Sequence, residues 1–105
     1  MADEPAPAGG EDAGPSPFGL LVSALAACTA MTLRIYAERK GWSLTSIDVD
    51  VRYDLADDGS ATIARTVTFA DDLPLEQRDR LAEIAERTPV TLAIRNGVPI
   101  ATTIR

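Results

Sequence analysis

The sequence predicts a single α+β domain in which a long apolar helix packs on an antiparallel hairpin. Residues 18–33 (FGLLVSALAACTAMTL) carry no charge over 16 positions. Residues 47–53 and 61–69 alternate apolar with polar side chains, the period-two pattern of half-buried strands, around an Asp58-Gly59 turn signal. Residues 75–87 (LEQRDRLAEIAER) repeat apolar positions at helical spacing. A length of 105 residues leaves room for one core of this kind and not for two.

The elements follow in order. Residues 1–15 are rich in Pro, Gly, Ala and acidic residues and read as an irregular lead-in to a domain at 16–105. Gly9, Gly10 and Gly14 follow no strand and have the wrong spacing for a phosphate loop, so they signal flexible backbone. Ser16 is placed to cap a helix whose first position is Pro17. The uncharged run is shorter than the roughly 20 residues that span a bilayer, and Ser23, Thr29 and Thr32 dilute it. A core helix, with no membrane, is therefore expected. Small residues at Ser23, Ala24, Ala26, Ala27 and Ala30 allow close approach of neighbouring backbones. Arg34, Arg39 and Lys40 suit the negative C-terminal end, and Gly41 suits a left-handed stop. A helix apolar all round for its first turns must be enclosed on several sides. One sheet in a chain this short cannot do so, and a second subunit is expected.

On the return strand, Arg65 falls on the apolar face with Ile63, Val67 and Phe69. The next helix is expected to turn Leu75, Leu81, Ala82, Ile84 and Ala85 inward. Thr88-Pro89 should end it and cap a short helix at 89–95, closed by Asn96-Gly97, and 98–104 reads as a final strand.

Charge and residue types narrow the function. A net charge of −6 argues against a phosphate-backbone partner, so nucleic acid is not expected. The chain has no His, which removes His-based zinc sites, Ser-His-Asp triads and Cys-His pairs. No metal-ligand spacing and no cofactor motif is found. One Cys makes no intrachain disulfide and no cationic leader precedes the apolar run, so a reducing, cytoplasmic compartment is expected.

Cys28 is the one thiol, midway along the apolar helix. Free Cys often packs as a small hydrophobe, and burial raises its pKa and makes it inert. A functional thiol needs a cation or a hydrogen-bond donor that its own helix does not supply. Arg65, if it reaches across from the sheet, is that cation; otherwise it snorkels to water or pairs with an acid. Thr88-Pro89-Val90 is an ordinary N-cap whose helix N-terminus can also stabilise a nearby anion.

The stretch GGEDAGPSPFGLLVSALAACTAMTLRIYAERKGW, with the hairpin and ERTPVTLAIRNGVPI behind it, resembles the OsmC/Ohr family, and its OsmC-like branch in particular. The resemblance runs from about Gly9 to Arg105. It implies an intertwined homodimer of α+β subunits with long central helices packed between sheets. It also implies a thiol peroxidase of organic hydroperoxides, in which a cysteine of the central helix becomes a sulfenic acid and a second cysteine resolves it. Cys28 matches the first cysteine, and Thr88 stands where the second is expected. Two further departures follow. Phe18 occupies the position of the family's glutamate, and the N-terminal strands with their arginine are expected to be absent, because the chain begins almost at the GG stretch. Cys28, Thr88 and Arg65 are thus the candidate catalytic residues of a one-cysteine peroxidase or redox sensor, with an organic hydroperoxide and an external thiol as partners. Lacking the family's cation, Cys28 is expected to stay mostly protonated at neutral pH and to react slowly. The alternative is a catalytically degenerate member that binds a small apolar or acyl ligand in the dimer cleft. A third is a structural partner of a full-length relative.

Overall fold

The computed structural model describes residues 16–105, and the lead-in at 1–15 lies outside the described residues. The elements are α1 (Pro17–Lys40), β1 (Ile47–Leu55), β2 (Ala61–Phe69), α2 (Leu75–Ala85) and α3 (Pro89–Asn96). The long helix, the antiparallel hairpin and the helix pair make the expected α+β arrangement.

Local chemistry sets the ends of α1. The Ser16 hydroxyl accepts the Gly19 N–H at 2.9 Å, and Pro17 takes the first position, where no N–H is needed. Gly41 stops the helix at φ +72°, a left-handed conformation that costs glycine nothing in sterics. The N–H groups of Gly41 and Trp42 close on the carbonyls of Glu38 and Ala37, so the last turn is satisfied.

β1 and β2 pair in register from Ile47↔Phe69 to Leu55↔Ala61, with Val51 opposite Arg65. The hairpin packs on α1, and α2 and α3 pack on the same helix. The core is Leu33, Leu73, Leu81 and Ala85, flanked by Tyr36, Trp42, Leu44, Ile47, Val67, Phe69 and Ile84. Burial of a leucine side chain such as Leu33 or Leu81 contributes about 1.5–3 kcal/mol.

Three expectations need correction. Residues 98–104 form no strand. Their backbone finds no partner edge among the described residues, and Ile100 and Ile104 are 89% and 91% exposed. Leu75 does not face the core. It sits in the first turn of α2, beyond Leu73, which takes the buried place, and Leu75 itself is exposed. Ala82 is exposed as well, so α2 buries the narrower stripe of Leu81 and Ala85 with Ile84 beside it.

Within one chain α1 is enclosed along one stripe, Leu25, Thr29, Leu33 and Ala37, spaced four residues apart. Phe18, Leu20, Leu21, Met31 and Ile35 remain exposed on its other sides. By length and composition α1 is long and apolar enough to cross a membrane. It nevertheless lies against the hairpin and both other helices, with Arg34 in its second half.

Candidate functional site

Cys28 lies at the edge of the buried stripe of α1, half-buried, between Leu25 and Thr29 on one side and Thr32 on the next turn. Its Sγ is 4.0 Å from the Thr32 hydroxyl. Facing it is the start of α3. Thr88 caps that helix by accepting the Thr91 N–H at 3.2 Å, which leaves the Val90 N–H among the donors without a helical partner.

These neighbours decide the protonation of the thiol. Burial pushes the Cys28 pKa up. The Val90 N–H, the Thr88 and Thr32 hydroxyls and the Arg65 charge together outweigh it, and the thiol sits below the ordinary cysteine value. The Val90 N–H and the Thr88 hydroxyl lower the pKa most, ahead of Thr32, whose hydroxyl is 4.0 Å from sulfur. The expected dominance of burial therefore does not hold. The missing stabilisation comes from the N-terminus of a different helix, packed against α1 by the fold.

Arg65 neither snorkels out nor contacts the sulfur directly. Its guanidinium reaches through the core, with the side chain 12% exposed. Nη1 donates to the Thr29 hydroxyl at 3.0 Å and to the Thr91 hydroxyl at 2.9 Å, and Nη2 donates to the Ala85 carbonyl at 3.1 Å. A Glu86 carboxylate oxygen lies 3.5 Å from Nη2. One cation carried by β2 thus joins α1, the end of α2 and the start of α3, and acts on Cys28 through its charge alone.

Hydroxyl accounting extends the network. Thr29 donates to the Leu25 carbonyl at 2.7 Å and so accepts from Arg65. Thr88 and Thr91 hydroxyls lie 2.6 Å apart, and Thr91 also reaches the Ala85 carbonyl at 3.2 Å. Thr91 has one proton to give. When it gives it to Thr88, the Thr88 hydroxyl is free to donate toward Cys28; when it gives it to Ala85, Thr88 donates back to Thr91. A thiolate favours the first arrangement, because a charged acceptor takes the stronger hydrogen bond.

The structure brings the three predicted residues together, with Arg65 one step removed from the sulfur. Sequence reasoning missed Thr29, Thr91, Glu86 and Arg95. Arg95 pairs with Glu86 and also donates to the Glu86 carbonyl at 3.3 Å. The Glu86 carboxyl is held below the usual carboxylate range, first by the Arg95 hydrogen bond. The one signal in the sequence was Arg65 itself, since a cation on an apolar strand face requires polar groups opposite. Among the described residues no cluster of three His, Cys, Asp or Glu side chains is placed to hold a metal.

Fold and site define a class: an α+β protein with a thiol on its long helix, set before the N-terminus of a shorter helix and backed by a strand-borne arginine. The chain belongs to the OsmC-like protein family, which it matches over residues 9–103. Among solved structures it is similar in fold to a Psychrobacter arcticus 273-4 protein assigned to the osmotic stress and detoxification response. The TM-score is 0.77 at 22% identity, over 88% of this chain and 69% of the other. It is likewise similar to an organic hydroperoxide resistance protein, OsmC, of Legionella pneumophila, with a TM-score of 0.67 at 23% identity over 89% and 71%. An OsmC-like protein from Mycoplasma pneumoniae gives 0.60 at 18% identity over 78% and 63%. No curated protein sequence matches the chain.

Proposed function

We propose that this chain is a one-cysteine thiol reductase of organic hydroperoxides, with Cys28 as the reacting group. The observation that carries the reading is the setting of the Cys28 thiol, with the Thr32 hydroxyl 4.0 Å from sulfur, the Thr88-capped N-terminus of α3 facing it and Arg65 held behind it by Thr29 and Thr91. These groups lower the thiol pKa against the effect of burial. The name of the Legionella relative, an organic hydroperoxide resistance protein, supplies the substrate class.

The Cys28 thiolate attacks the distal oxygen of ROOH. The O–O bond breaks, an S–O bond forms, and the leaving alkoxide takes a proton to become ROH, with sulfur oxidised to sulfenic acid. No second cysteine exists in the chain to resolve it. One external thiol condenses with the sulfenic acid, releasing water and leaving a mixed disulfide, and a second thiol displaces it and regenerates Cys28. Thr88 orients a donor at the sulfur, and Arg65 holds Thr91 and Thr29 around it.

The acting form is a homodimer. Its support is the open side of α1: Phe18 is 53% and Met31 63% exposed on a helix with only one enclosed stripe. Sedimentation at micromolar concentration should give about twice 11.1 kDa; a well-folded monomer overturns this part.

Sulfenic-acid trapping with an organic hydroperoxide, between about pH 6 and pH 10, tests the chemistry. A thiol with a depressed pKa is reactive above that pKa and loses reactivity as pH falls through it. Wild type should therefore begin to react below the ~8.5 of a free cysteine. Arg65→Ala and Thr88→Val should shift the profile to higher pH, and Cys28→Ser should show no trapping. An intact protein that traps nothing at any pH refutes the proposal. Rapid trapping near pH 6 in Arg65→Ala, an acidity well below the free-thiol pKa, removes Arg65 from the mechanism.

A further inference from the structure

We infer that the cavity bounded by β2, α3 and α1 is a second ligand site, separate from the thiol, that takes an amphipathic monocarboxylate whose head group replaces Glu86 between Arg65 and Arg95. The cavity has a volume of about 400 Å³ and is lined by Leu25, Ala61, Ile63 and Ile94 together with Arg65, Glu86, Thr91 and Arg95. That volume is within the range of small-molecule pockets, which are mostly apolar with a few convergent polar groups. Cys28 is not part of its wall.

Charge defines the head group. Two guanidiniums share the single Glu86 carboxylate, which leaves the cluster with one net positive charge. Water solvates that excess poorly at Arg65, whose side chain is 12% exposed, whereas the Glu86 side chain is 56% exposed. A guanidinium has five N–H donors. Those of Arg65 make three hydrogen bonds to Thr29, Thr91 and Ala85. For the remainder the described residues offer only Glu86, at 3.5 Å, an ion-pair distance beyond an ordinary hydrogen bond. A ligand carboxylate entering the cavity meets unused donors on Arg65 and can make with them the charge-assisted bonds that Glu86, at 3.5 Å, makes only loosely. Leu25, Ile63 and Ile94 offer an aliphatic tail the surface beyond the head group. A neutral molecule of the same shape takes the apolar wall but leaves the donors unmet.

Sodium octanoate titrated into the full chain is the test, followed by calorimetry and by the methyl signals of Leu25, Ile63 and Ile94. Saturable binding is expected, with shifts at those three residues. Glu86→Gln removes the competing carboxylate and should tighten binding by about tenfold, and Arg95→Met should weaken it by about as much. 1-Octanol should bind at least about tenfold more weakly than octanoate. Cys28→Ser should bind as wild type does, so failed peroxide chemistry leaves this inference standing. Equal binding of octanol and octanoate, no tightening in Glu86→Gln, absence of saturation, or loss of binding in Cys28→Ser would each overturn it.

Discussion

Replacing Arg65 with methionine separates what the arginine does for stability from what it does for Cys28. Three hydrogen bonds from a charged donor, each at 2.9–3.1 Å, are lost. Taken singly, such bonds are worth about 1.5–3 kcal/mol each. Two features reduce the sum. The acceptors are not orphaned: Thr29 keeps its bond to the Leu25 carbonyl, and Thr91 and the Ala85 carbonyl keep each other. Glu86 keeps Arg95. Removing a nearly buried cation also relieves a desolvation cost of several kcal/mol, and methionine fills the space with apolar atoms. The net loss should be about 1–3 kcal/mol, below the ~3–5 kcal/mol of a buried pair broken to leave a bare charge. Urea unfolding at fixed protein concentration, with unchanged m-value, measures it. A loss above about 5 kcal/mol would show that the network is not backed up as its geometry indicates. The thiol should titrate at higher pH in the same variant, and a thiol unaffected by the change would show that the Arg65 charge does not reach it.

Other outcomes follow from the same geometry. Thr88→Cys should form a disulfide with Cys28 under mild oxidation, provided the α-carbons lie within about 7 Å, while the reduced protein loses about 1 kcal/mol with the α3 cap; failure to crosslink with the fold intact would separate position 88 from the thiol. Leu81→Ala, at a position 1% exposed in the core, should cost about 2–5 kcal/mol by thermal or chemical unfolding. Leu75→Ala, in the same helix but at an exposed position, should change stability by less than about 0.5 kcal/mol, and comparable losses at both sites would contradict the observed face of α2.

Much of the fold was legible because its signals are local. Ser16-Pro17 and Gly41 bracket α1, residues 47–53 alternate along β1, and Thr88-Pro89 announces α3. Residues 98–104 misled because a strand needs a partner edge as well as a composition, and the described residues supply none. Leu75 misled because helical spacing marks a face without fixing where it starts; Leu73, just outside the helix, holds the buried place. The site was half legible. Arg65 stood out as a cation among apolar neighbours, whereas its partners Thr29, Ala85 and Thr91 lie 20 to 36 residues away and no spacing rule connects them. The lowered pKa of Cys28 was hidden for a similar reason, since the helix terminus that helps lower it belongs to α3.

The reach of Arg65 also bears on the order in which the chain assembles. Its guanidinium touches all three helices, yet it is carried by β2 and is positioned only once the hairpin has docked in register. The polar contacts that join α2 to α3 therefore depend in part on a residue from earlier in the chain. In amide exchange, the first turn of α3 and the central pairs of the hairpin should open together as one cooperative unit, while the Leu33–Leu81 contact persists in the partly open state. The surroundings of Cys28 would then be assembled and dismantled as a block, leaving the thiol either beside all of its donors or beside none of them.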